Sequence, residues 1–160
     1  MNRFTCGIVA LTLGLLSCVV PLVATDHPGN ANEIVGTWRL QVTLPPGASV
    51  CPAVGLECTF MALATATSDR TVIQTAPIPN TTIGHGVWAR LGARRFVIRS
   101  TYLRLSPDGI LIGSAEATTR FTVSRNGRVG GGTYENVLFD AEGNELTRFS
   151  ATFVASRMEP

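Results

Sequence analysis

Short runs of residues that favour β-strands, each ended by a turn signal, are the feature that most constrains the fold of this chain. Apolar and polar residues alternate along the first run, residues 34–44, and Trp38 lies on the more apolar face. The other runs cover residues 58–67, 70–75, 86–91, 94–105, 110–123, 131–139 and 145–156. Turn sequences such as SPDG, SRNG and AEGN separate the later runs. The pattern predicts an all-β domain with eight strands.

The order of these strands favours one closed architecture. Eight consecutive strands with short connections pair as an antiparallel meander, which removes both sheet edges when it closes on itself. A sandwich of two sheets is the alternative, but it generally needs longer crossovers than this chain offers. We therefore predict a single domain over residues 33–157, an eight-stranded antiparallel up-and-down β-barrel.

The N-terminus of the chain predicts export. A short positive region with Arg3 precedes a nearly uncharged apolar run that ends at Ala24, and polar residues follow. We interpret residues 1–24 as a signal peptide and residues 25–32 as a short linker, which predicts a secreted or periplasmic protein without a membrane anchor after cleavage. A lipoprotein modified at Cys18 and an uncleaved membrane anchor are the alternatives.

Export also decides how the cysteines are interpreted. Cys51 and Cys58 are the two cysteines that remain after the signal peptide, and they lie in a loop rich in Pro and Gly. In an oxidising compartment such a pair predicts a disulfide, which stabilises a small loop by about 2–3 kcal/mol. No further cysteine or histidine lies at metal-ligand spacing, so we predict no metal site.

Charge and motifs exclude other classes of partner. The 13 basic residues are scattered along the chain and the formal net charge is +2, so we predict no nucleic-acid partner. The sequence contains no phosphate-binding loop and no order of residues typical of a catalytic triad. We therefore predict no cofactor, and the oligomeric state stays open.

The first strand carries a short motif that resembles a known family. Gly36 and Trp38 form the G-x-W signature of the calycins, the lipocalin-like barrels. The resemblance implies that Trp38 closes one end of the barrel beneath an arginine from the end of the last strand, the position that Arg157 occupies. The stretch GHGVW is similar to one in small exported bacterial barrels. The architecture is also similar to allene-oxide-cyclase-type barrels, which include cyclases and isomerases acting on unsaturated hydrophobic substrates.

The end of the barrel opposite Trp38 is the predicted ligand entrance. Long connections lie there, and ligand-binding barrels place shaped loops around their open end. His85 enters the fourth strand from this end and shares its parity with Val87, so we expect His85 to point inward. Phe96, Tyr102 and Arg104 of the fifth strand share one parity, and we expect this face of the strand to point into the barrel. The expected ligand contacts are His85, Phe96, Tyr102 and Arg104.

These features predict a barrel that binds a small hydrophobic molecule without transforming it. The alternative function is a cofactor-free cyclase or isomerase, in which His85, Tyr102 and Glu135 move protons. On the seventh strand, either Tyr134 or Glu135 faces inward. A further alternative is a barrel packed solid with side chains, in which His85 is a structural residue at the open end.

Overall fold

The computed structural model describes residues 33–48 and 58–159, and these residues form an all-β fold. The strands are β1 (Gly36–Thr43), β2 (Thr59–Ala66), β3 (Thr71–Thr75), β4 (Gly84–Gly92), β5 (Arg95–Leu105), β6 (Leu111–Val123), β7 (Val129–Phe139) and β8 (Glu145–Arg157). Each strand pairs antiparallel with the next, and β1 pairs with β8, so that the sheet closes as a barrel. The predicted eight-stranded up-and-down barrel is confirmed.

Several sequence predictions concern residues outside those that the structure describes. The proposed signal peptide (1–24) and linker (25–32) lie there, and so does Cys51. Cys58, directly before β2, is described. Signal cleavage and the pairing of the two cysteines therefore stay predictions. No helix in the described part of the chain is long and apolar enough to cross a membrane.

Alternation along the strands builds the interior. On β1, Trp38, Leu40 and Val42 are buried, whereas Arg39 and Gln41 between them are exposed. Successive side chains of a strand point to opposite faces of the sheet, so a closed sheet directs every second residue into the barrel. Burial of these apolar side chains, worth about 25 cal/mol per Å² removed from water, is what favours the closed form.

The end of the barrel where β1 begins is closed, and we call it the base. Trp38 and Arg157 are cross-strand partners there, and the guanidinium carbon of Arg157 lies 4.4 Å from the centroid of the Trp38 ring. The indole Nε1 of Trp38 donates a hydrogen bond to the carbonyl oxygen of Ile34 at 2.8 Å. The Arg157 guanidinium also donates to the carbonyl oxygens of Glu33, Val35 and Gly127. A cation over an aromatic face and several hydrogen bonds thus seal this end.

Candidate ligand-binding site

The opposite end of the barrel, where β1 ends and β2 begins, is the mouth. The connections after β1, β3, β5 and β7 all lie at this end because the strands run up and down. The inward-facing residues of the mouth half differ in character from those of the base, which are mainly apolar. This half of the interior contains buried polar side chains, which belong to the candidate site.

Side chains from four strands form what we call the interior polar cluster. The cluster consists of Gln74, Ser100, Tyr102, Thr119, Tyr134 and Asn136. The hydroxyls of Ser100 and Tyr102 donate hydrogen bonds to Oε1 of Gln74, at 2.7 and 2.8 Å. The amide nitrogen of Asn136 donates to the hydroxyl of Tyr134 at 2.8 Å. Most of the buried polar groups are therefore paired inside the barrel.

Two oxygens of the cluster are exceptions. The hydroxyl of Thr119 and the amide oxygen of Asn136 have no hydrogen-bond partner among the residues that the structure describes, although these residues are only 2% and 3% exposed. A buried polar group without a partner costs about 1–3 kcal/mol. Because native proteins rarely keep such groups, the two oxygens require an explanation, and a ligand that hydrogen-bonds to them is one.

A small cavity lies beside the cluster. Its volume is about 30 Å³, which is room for one or two water molecules. The wall combines four members of the cluster with apolar side chains of β1, β2 and β8. The lining residues include Gln74, Tyr102, Thr119 and Tyr134 on the polar side and Leu40, Val42, Phe60, Ala62, Ala64 and Phe153 on the apolar side. A second void of about 10 Å³ lies toward the base, beside Trp38, Phe121 and Thr119.

Ala115 and Ala117 of β6 are small, but the space next to them inside the barrel is not empty. Ala115 and Ala117 pack against the ring of Tyr102, and Tyr134 and Leu138 pack against the same group. The volume next to the two alanines is therefore taken by the tyrosines of the cluster. A ligand larger than the cavity must displace side chains at the mouth.

Both tyrosines of the cluster are neutral phenols at physiological pH. Burial raises the pKa of Tyr102 to about 12. Burial raises the pKa of Tyr134 as well, and the neighbouring Tyr102 raises it further. Taking a hydroxyl out of water disfavours its anion. Tyr102 and Tyr134 can therefore donate or accept hydrogen bonds to a ligand, but they are poorly suited to act as general bases.

His85 lies outside the barrel, and the prediction that it points inward is wrong. The two glycines that flank it face the interior instead. A Cβ on Gly84 would lie 2.4 Å from the ring of Tyr102, and one on Gly86 would lie 2.1 Å from the carbonyl oxygen of Arg99. Side chains do not fit at these positions, so β4 turns the glycines inward and His85 outward, where it is exposed. His85 does not line the cavity.

Glu135 is also on the outer face, since β7 directs Tyr134 inward. The Glu135 carboxylate forms an ion pair with Arg148, which also pairs with Glu145, and all three side chains are about half exposed. Of the three residues expected to move protons in the enzymatic alternative, only Tyr102 faces the cavity. The structure does not bring His85, Tyr102 and Glu135 together.

Phe96, Tyr102 and Arg104, the other predicted ligand contacts, lie at different depths in the barrel. Phe96 faces the interior but lies toward the base, where its ring packs edge-on against Trp88 at 5.7 Å, and it does not line the cavity. Tyr102 lines the cavity, and Arg104 follows it on the inward face of β5 at the mouth. Of the predicted ligand contacts, Tyr102 lines the cavity and Arg104 lies beyond it at the mouth; contact with a ligand stays a prediction for both.

Sequence reasoning missed Gln74, Thr119 and Asn136. A polar residue on an otherwise apolar inward parity was the available signal, because Thr119 shares the face of Ala117 and Phe121, and Gln74 that of Val72. Within residues 33–48 and 58–159, no group of histidine, cysteine, aspartate and glutamate side chains could hold a metal ion.

Comparisons with known proteins do not assign a function to this chain. The architecture is a closed, antiparallel, eight-stranded barrel, which is consistent with a calycin-like fold. Arg157 lies over Trp38 as the resemblance implied. No protein-family model matches the chain, and no curated protein matches it.

Proposed function

We propose that this protein is an exported, calycin-like barrel that binds a small hydrophobic molecule in the mouth half of its interior and releases it unchanged. The observation that carries the proposal is the pair of buried, unpaired oxygens on Thr119 and Asn136, two members of the cluster that borders an apolar-walled cavity. Ligand sites typically combine an apolar wall with a few convergent polar groups. A ligand with a hydrogen-bond donor at its inner end would pair the Thr119 oxygen, which lines the cavity.

The apolar wall indicates the rest of the ligand. Leu40, Val42 and Phe153, from β1 and β8, line one part of the cavity, and Tyr102 and Tyr134, from β5 and β7, line another. A compact apolar body fits this asymmetry, with its donor group directed at the polar cluster. The cavity as it stands admits a group of the size of a hydroxyl, and a longer body requires the side chains at the mouth to move outward.

Binding without chemistry is favoured over the cyclase or isomerase. A general base must reach the proton that it removes, and His85 and Glu135 lie on the outer surface. Tyr102 reaches the cavity, but its raised pKa keeps it protonated. The groups that do face the cavity can position a ligand by hydrogen bonds.

Export is part of the proposal and rests on the N-terminal sequence. A mature chain that begins near Thr25 would reach the periplasm or the medium, where Cys51 and Cys58 would pair as a disulfide. Such a protein would bind small molecules outside the cytoplasm, with no nucleic-acid or membrane partner.

A larger side chain in the cavity wall should weaken ligand binding. The purified protein is incubated with a lipid or polyketide extract, separated from unbound material and analysed by mass spectrometry. We expect wild type to retain a molecule that is recovered unchanged, and Ala62→Leu to retain it at least about tenfold less, because the larger side chain overfills the cavity wall. Ala89→Leu is the matched control, since Ala89 is exposed on the outer face.

Three outcomes of this experiment would contradict the proposal. If Ala62→Leu folds and retains as much ligand as wild type, the ligand does not occupy the interior. Recovery of an isomer in place of the molecule supplied would favour the enzymatic alternative. If wild type retains nothing, the protein is the packed barrel without a ligand.

A further inference from the structure

Arg104 is the one charged side chain on the inward-facing positions of the mouth half, within the part of the chain that the structure describes. It lies two residues beyond Tyr102 on the same face of β5, between the polar cluster and the opening. The ion pairs among the described residues involve other arginines, so no carboxylate neutralises Arg104 there. A positive charge thus stands at the entrance to a neutral chamber.

A hydrogen bond holds this charge against the barrel wall at the mouth. Nη1 of Arg104 donates a hydrogen bond to the carbonyl oxygen of Phe139 at 3.0 Å. The side chain crosses from β5 to β7, and the residue of the intervening β6 that pairs with Arg104 is Gly113. A Cβ at Gly113 would lie 2.1 Å from the same carbonyl oxygen. The absence of a side chain at this position lets the guanidinium reach over β6.

A backbone carbonyl is a weaker partner for arginine than an anion is. A carboxylate carries a full negative charge and can accept two parallel hydrogen bonds from one guanidinium, whereas a backbone carbonyl has no net charge. Arginine keeps its charge at any physiological pH. A carboxylate that reached the mouth would therefore compete with the Phe139 carbonyl for Arg104.

We propose that the ligand is an organic anion with a carboxylate at its outer end, which Arg104 binds at the mouth while the apolar body enters the barrel. The inference rests on the proposed binding function. It adds a ligand class, namely carboxylic acids in their ionised form. Binding exchanges the Arg104 hydrogen bond from the Phe139 carbonyl oxygen to the carboxylate of the ligand.

Matched probes test the inference. 8-Hydroxyoctanoate and 1,8-octanediol share their chain length and the hydroxyl for the inner end and differ in charge at the outer end, and isothermal titration calorimetry measures their affinities for the full mature protein at low salt. We expect wild type to bind 8-hydroxyoctanoate about tenfold or more tightly than the diol. Arg104→Gln should lose this preference and keep its affinity for the diol. Arg99→Gln is the matched control, because Arg99 lies exposed on the outer face of the same strand.

The outcomes separate the two proposals. Equal affinities of wild type for both probes would overturn the anionic ligand, and a preference that survives in folded Arg104→Gln would overturn the role of Arg104; both results leave the binding function in place. If wild type binds neither probe, the anionic-ligand inference fails, and the extract experiment decides the binding function separately. Should Arg104→Gln not fold, the wild-type preference itself decides, since salt raised from about 0.05 to 0.5 M should shrink it if a charge carries it. A preference that salt leaves unchanged would contradict the inference.

Discussion

Replacement of Trp38 by alanine should lower the free energy of unfolding by about 3–5 kcal/mol, the largest effect that we expect of one substitution. Trp38 is 2% exposed, and its ring meets Phe121 edge-on at 5.0 Å beneath the guanidinium of Arg157. Its removal leaves a cavity at the base and exposes the buried face of Arg157. Denaturant unfolding followed by circular dichroism measures the change.

Met61→Ala is the control for this experiment. Met61 lies on the outer face of β2 and is 59% exposed, so its truncation should change the free energy of unfolding by less than about 0.5 kcal/mol. If Trp38→Ala were as mild as Met61→Ala, Trp38 would not close the base, and the position of the seal in this barrel would be wrong.

Gly86→Ala should destabilise the protein by about 1–3 kcal/mol or more, whereas His85→Ala should change its stability by less than about 0.5 kcal/mol. A Cβ on Gly86 would lie 2.1 Å from the carbonyl oxygen of Arg99 and 2.7 Å from the Cα of Ser100, and both are backbone atoms that cannot rotate away. The imidazole of His85 points to solvent on the other side of the same strand. Thermal unfolding of the two variants measures the contrast.

The same pair of variants tests the orientation of β4. His85→Ala should also leave ligand retention unchanged, because the imidazole lies outside the cavity. A harmless Gly86→Ala together with an unstable or non-binding His85→Ala would mean that β4 turns the histidine inward.

The alternation of apolar and polar residues predicts the inner face of some strands and not of others, as His85 shows. On β1 the pattern works, since Trp38, Leu40 and Val42 are apolar and buried. On β4 the apolar residues Val87 and Leu91 lie outside, 61% and 51% exposed, and the inward positions are Gly84, Gly86, Trp88 and Arg90. Trp88 is the one large apolar residue among them, so the larger number of apolar residues indicated the wrong face of β4. Contact with β5 decides the orientation, and a single strand does not reveal it.

The candidate site was predictable in part. The alternation of side chains along β5 predicts that Tyr102 and Arg104 point into the barrel, and the structure places both in the mouth half. Parity does not give depth, so Phe96 was expected at the ligand although it lies toward the base. The polar cluster depends on the register between strands, which sets Thr119 opposite Tyr134 and Ala117 opposite Asn136. These pairings follow from closure of the whole sheet.

Thr119→Val tests most directly whether the mouth half of the barrel is a ligand site. Valine removes the unpaired hydroxyl and keeps the branched shape, and both the free energy of unfolding and the affinity for the molecule recovered from the extract are measured. The two quantities should move in opposite directions: stability should rise by about 1 kcal/mol, because an unpaired buried hydroxyl is lost, and affinity should fall. A variant that is less stable by 1 kcal/mol or more and binds as tightly as wild type would show that the hydroxyl supports the fold, and it would contradict the proposed site.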